Sequence, residues 1–242
     1  MTCSNELNAI SGVELMKMEF PQHQFCIEDI LPKGLSVLTS ESMDNARSLA
    51  MELSLCVAVG QQLWNMESQQ GTVLHMVHQD ALAVTRNRII LMTKPIPREL
   101  YVGMMTEDSL ALAISAIPVF VKEHPNVSLI VAELEGMVAC VNEKLYAQGQ
   151  TLQQYNRLKE MAAEYNIAIL VTQQSVNSTF GMGAGSDSNM ACISDVVDSH
   201  FHMCSLLYPA NRASLKRTSR TYGSASWNIE YSWKTHRWDE RK

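Results

Sequence analysis

From Gly34 onward the chain alternates short apolar runs with longer stretches whose apolar residues recur every three to four positions. The first habit predicts buried strands and the second amphipathic helices. "LSVLTS" (35–40) reads as a strand, and "DNARSLAMELSLCVAVG" (44–60) as a helix stopped by Gly60. "GTVLHMVH" (71–78) and "ALAVTRNRIILM" (81–92) repeat the pair, and "ELYVGM" (99–104) is a further strand. "DSLALAISAIPVFVKEH" (108–124) is a helix that Pro118 should kink. "VSLIVAEL" (127–134) is apolar almost throughout, as a strand buried on both faces must be. A linker containing Gly149 leads to the helix "TLQQYNRLKEMAAEYN" (151–166) and the strand "IAILVTQQ" (167–174). Residues 175–195, rich in Gly, Ser and Asn, read as a long loop. "SHFHMCSLLY", "ASLKRTSR" and "SASWNIEYSW" then follow as consecutive strands joined by turns. The pattern predicts a mainly parallel βαβ core with an antiparallel C-terminal extension over 34–242, preceded by a lead segment at 1–33.

Composition narrows this picture. At 242 residues with 46% hydrophobic and 18% charged side chains, the chain can bury a full core. It has no run of about 18 uncharged apolar residues, so no membrane span is expected. The first twenty residues lack the apolar stretch of a secretory signal, and the expected location is the cytoplasm. Six cysteines without a Cys-x-x-Cys pair read as reduced thiols. The net charge of −6 is uneven: residues 211–242 hold eight basic and three acidic side chains, the first 210 residues 11 basic and 22 acidic. A basic end on an acidic body suits nucleic acid or the acidic face of a second copy, and it equally suits a solvated terminus.

The candidate chemistry starts at "SESMDNAR" (40–47), which joins a strand to a helix as a phosphate-binding loop does. In G-x-x-x-x-G-K-[ST], glycines let backbone N–H groups wrap the phosphates, Lys neutralises charge and the hydroxyl ligates Mg²⁺. Here Ser40, Asn45, Ala46 and Arg47 stand at those four positions, and Glu41 and Asp44 add negative charge. Asn45 could still take a left-handed conformation, and Arg47 offers one cation a place late.

"ELMKMEF", "ILPKGLSVL", "LAMELSLCVAVGQQLW", "GTVLHMVHQD", "HPNVSLIVAEL", "YNRLKEMAAEYNIAILVTQQ" and "LKRTSR" occur in the order found in RecA-fold ATPases of the P-loop NTPase superfamily. Over residues 12–238 the chain most resembles plasmid and phage proteins related to the hexameric replicative helicase RepA. The resemblance implies a three-layer α/β/α fold with a mainly parallel twisted sheet and antiparallel C-terminal strands. It also implies site positions. The carboxylate pair ending the second core strand is replaced by Gln79-Asp80, and Gln cannot act as a general base. Asp80 reads instead as the N-cap of the next helix. The metal-associated acid is Glu133, with Glu135 two residues on. Gln173 and Gln174 fall at the sensor position, and Arg220 at an arginine that completes a nucleotide site within or across subunits.

The residues alone offer one further cluster, His200, His202 and Cys204, on one face of a strand, but three ligands along one strand span too far for a tetrahedral ion. No hydrolase or zincin motif occurs, and "GMGAG" (181–185) lacks the strand–turn–helix setting of a dinucleotide loop. The expectation is a catalytically inactive RecA-fold pseudo-ATPase with no required metal or cofactor. It would act as a binding, assembly or regulatory module in mobile-element DNA replication, with itself or another RecA-fold replication protein as partner. Two alternatives stand: a divergent ATPase or helicase subunit using ATP and Mg²⁺ through Arg47, Glu133 and Arg220, and a nucleic-acid binder using the basic C-terminal region.

Overall fold

The computed structural model describes residues 10–18, 25–106, 110–134, 145–175, 195–206 and 209–241. A short helix, α1 (Gly12–Leu15), is closed by reciprocal hydrogen bonds between Ser11 and Glu14. Strands β1 (Phe25–Ile27) and β2 (Leu31–Pro32) form a small antiparallel pair. The alternating core follows: β3 (Gly34–Ser40), α2 (Met43–Val59), β4 (Thr72–His78), α3 (Leu82–Met92), β5 (Leu100–Met105), α4 (Leu110–Glu123), β6 (Val127–Glu133), α5 (Leu145–Tyr165), β7 (Ala168–Gln174) and β8 (Ser199–Ser205). A meander of β9 (Arg212–Ser219), β10 (Gly223–Ser232) and β11 (Arg237–Glu240) completes it.

Nine strands make one sheet in the order β11-β10-β9-β8-β3-β7-β6-β4-β5. The six from β8 to β5 run parallel, and β9 to β11 are antiparallel additions on one side. Burial follows the patterning that the sequence carries. β6 is buried at every position, whereas β9 alternates between buried and open side chains. One face of the sheet packs Leu38, Leu129, Leu170, Phe201, Leu215 and Trp238 against α2 and the β1–β2 pair. The other packs Val37, Ile130 and Ile169 against α4 and α5. Cys26, Ile27, Ile30 and Leu31 join the first cluster, so the lead segment from Phe25 onward packs into the body.

Helix α2 lies deepest, buried from Ser48 through Ala58 and ended by Gly60 in the left-handed conformation at φ 72°. Gly34 opens β3 at φ 107°, where a Cβ would stand 2.6 Å from Oδ2 of Asp198. That carboxylate accepts the N–H of Leu35 and pairs with Lys159, tying β3 to α5. Three local expectations change. Gly149 lies inside α5 rather than in a linker. Helix α4 continues through Pro118. Strand β11 adds an element the pattern did not announce. The loop at 176–194 lies outside the described residues.

Candidate functional site

Open parallel sheets take ligands outside the carboxyl ends of their strands, where successive connections leave toward opposite faces. In this chain that place is the end of β3, between β7 and β8. Ser40 ends the strand fully buried, and its carbonyl accepts the N–H of Ser175 at 2.8 Å. Only Glu41 and Ser42 separate β3 from α2. Ser42 caps the helix: its hydroxyl accepts the Asn45 N–H, and its own N–H donates to Ser40 Oγ at 3.2 Å. Met43 is already helical, so Asn45, Ala46 and Arg47 occupy the first turns of α2. Asn45 is not left-handed; it donates through Nδ2 to Ser205 Oγ at 2.9 Å. Two residues cannot form the wrap of consecutive N–H groups that a polyphosphate needs.

The side chains complete the closure. Arg47 turns toward β6, placing Nε 3.4 Å from Glu133 Oε2. Glu133 Oε1 lies 2.8 Å from Nε2 of His75, and His75 Nδ1 lies 2.8 Å from Ser54 Oγ. Ser54 also donates to the carbonyl of Ala50 at 2.9 Å, so its hydroxyl bridges the helix backbone and the imidazole. His75 and Ser54 are wholly buried and Glu133 is 1% exposed. The row Ser54–His75–Glu133 has the membership of a hydrolytic triad without its function. Ser54 is turned into a helix with no solvent access, and it meets Nδ1 where a nucleophile meets Nε2. The row serves instead to satisfy polar groups inside the core and to hold Arg47 in place. Neither His75 nor Ser54 was singled out from sequence. The available signal was a polar residue within each apolar run, "TVLHMVH" and "LSLCV", placed by register beside Glu133: His75 pairs with Val131, two residues before it on the same face.

The other predicted positions scatter. Gln79 and Asp80 are exposed in a 3-10 turn, and Asp80 does not cap α3, whose N-cap Ala81 makes no side-chain bond. Asp80's own N–H is accepted by His78 Nδ1. The turn between strand and helix moves the cap one residue on. Gln173 is buried and donates to the Tyr155 hydroxyl, while Gln174 reaches the carbonyl of Glu41 at 3.5 Å. Arg220 sits beyond Ser219, which pairs with Ser199 at the start of β8. It is therefore at the opposite edge of the sheet from Ser40, where it pairs with Asp195 at 2.8 Å. Within one chain Arg220 cannot join Arg47 and Glu133. Glu135 lies outside the described residues.

His200 Nε2 and His202 Nδ1 both converge on the Thr39 hydroxyl, at 2.9 and 3.1 Å. Burial, then the neighbouring His202, pushes the His200 pKa down to about 4. Among the described residues no group of three or more His, Cys, Asp or Glu side chains is arranged to hold a metal. The basic C-terminal region is divided: Lys216, Arg220, Lys234 and Arg241 are exposed, whereas Arg217 turns inward. Arg217 is 4% exposed, donating to the carbonyls of Asp29 and Ile30 with Phe25, Tyr222 and Trp227 around its guanidinium. Arg212 and Arg241 share Glu230, and Arg237 donates to the carbonyl of Met92. No described helix is long and apolar enough to cross a membrane.

Taken together, the residues at 40–47 and Glu133 do not fit a nucleotide polyphosphate with Mg²⁺. The cation and the carboxylate that would serve it neutralise each other, and the connection is too short to wrap it. No protein-family model matches the chain, and no curated protein matches it.

Proposed function

We propose that this chain is a RecA-fold domain whose nucleotide site has been replaced by an internal ion-pair network, and that it works as a binding or assembly module of mobile-element replication rather than as an ATPase. The Arg47–Glu133 contact carries this reading. One partner stands in the loop the resemblance equates with phosphate binding, and the other at the position it equates with the metal-associated acid. The central place of β3 in a parallel sheet with antiparallel strands added at its C-terminal end supports the fold assignment. A module of this kind acts through its surfaces, with a second copy or another RecA-fold protein as partner.

Titration with MgATP, MgADP and MgGTP tests the reading. A nucleotide binding a hundredfold below its working concentration would stabilise the fold by about 2.7 kcal/mol, a shift of several degrees for a chain of this size. The expected result is no shift at millimolar nucleotide. A shift with MgATP that Arg47→Ala removes, accompanied by turnover, overturns the proposal and returns the chain to the working ATPases.

A further inference from the structure

The turn between β10 and β11 carries Trp233, 72% exposed, beyond the carboxyl end of β10, which runs in the same direction as β3. Its geometry is fixed. His236, at φ 56°, donates its N–H to the Ser232 carbonyl at 2.8 Å, and the Thr235 N–H reaches Ser232 Oγ. Tyr231 supports the indole edge-on, with centroids 4.9 Å apart, and itself leans on the buried Trp238 at 5.3 Å. The ring is thus held from below and open above.

Its surroundings are polar and cationic. Residues 231–237 include Lys234, His236 and Arg237 and no acid, in a chain of net charge −6. Along the strands the next acids are Glu230 and Asp239, and Glu230 is engaged by both Arg212 and Arg241. A protein hot spot sits within a ring of contacts that exclude water, whereas Trp233 is flanked by Ser232, Lys234 and Thr235. An exposed indole face beside the exposed Lys234 matches a base and its neighbouring phosphate.

We propose that the β10–β11 turn is a stacking platform for an unpaired nucleobase of single-stranded nucleic acid, with Trp233 as the base contact and Lys234 as a phosphate contact. This stands independently of the reading of residues 40–47. The test is fluorescence anisotropy of the full chain with a labelled oligothymidylate of roughly 20 nucleotides, the matching oligouridylate, and a duplex of equal length. Titrations run at about 50 and 200 mM salt. The expected result is tighter binding to a single strand than to duplex, weakened about tenfold or more by Trp233→Ala and largely kept by Trp233→Phe. Lys234→Ala should reduce the slope of log affinity against log salt by about one. The two oligonucleotides distinguish a DNA from an RNA partner. Equal binding of single strand and duplex, or equal binding by parent and Trp233→Ala, overturns the proposal. So does a Trp233→Ala variant that alters only self-association, which makes the turn a protein contact. Unchanged melting of Trp233→Ala, expected for so exposed a side chain, verifies that the fold is intact.

Discussion

Glu52 lies in the middle of α2, 2% exposed, and its Oε2 accepts the N–H of Trp238 at 2.8 Å. Burial raises its pKa from 4.5 to about 8, although the Trp238 N–H and the Arg237 guanidinium pull the other way. The folded state therefore keeps a proton that the unfolded chain releases. Stability from this group is complete below pH 4.5 and is lost as pH rises to 8. At about 1.4 kcal/mol per pH unit, the loss across that window is on the order of 4 kcal/mol. Glu52→Gln keeps an oxygen for the Trp238 N–H and removes the ionisation. The variant should be more stable than the parent at pH 8 to 9, by up to the order of 4 kcal/mol, and near parity at pH 4.5. Urea unfolding of both proteins across this range gives the difference directly, because every other titrating group cancels in the comparison. A variant-minus-parent difference that stays flat from pH 4.5 to 9, or that favours the parent at high pH, refutes the reasoning.

Two further outcomes follow from buried groups. Arg217→Ala removes the donor to the carbonyls of Asp29 and Ile30 and the cation within three aromatic rings. It should cost more than about 2 kcal/mol and open the β1–β2 pair to limited proteolysis before the rest of the chain. His200 has its pKa depressed from 6.5 to about 4, so it binds a proton more readily when unfolded. Stability should fall as pH drops through that window, and His200→Gln should flatten the slope in acid unfolding curves.

The order of elements was legible because side-chain period follows backbone geometry: uninterrupted apolar runs became the central parallel strands, and alternating ones the one-sided β9. Gly60 marked the end of α2 for the same local reason. The departure of Ser40, Asn45, Ala46 and Arg47 from a phosphate loop was also plain in one dimension, since each position lacks a specific chemical group. What replaces the site was not. The Arg47–Glu133–His75–Ser54 row joins α2, β6 and β4, and no local pattern states that β6 lies beside β4 in the register that sets His75 opposite Val131, two residues from Glu133 on the same face. Arg220 looked like a site residue because its motif is local, but the antiparallel run of β9 carries it to the far edge. The charge of the C-terminal region was countable in sequence, but only the folding of β9 to β11 over α2 and the β1–β2 pair sorts its members: Arg217 turns inward, Arg212 and Arg241 pair with Glu230, and Lys216, Arg220 and Lys234 stay exposed. Sequence determined which groups the chain owns and where its strands and helices fall. Tertiary structure decided which groups meet, because the pairing order of distant strands depends on packing across the whole sheet.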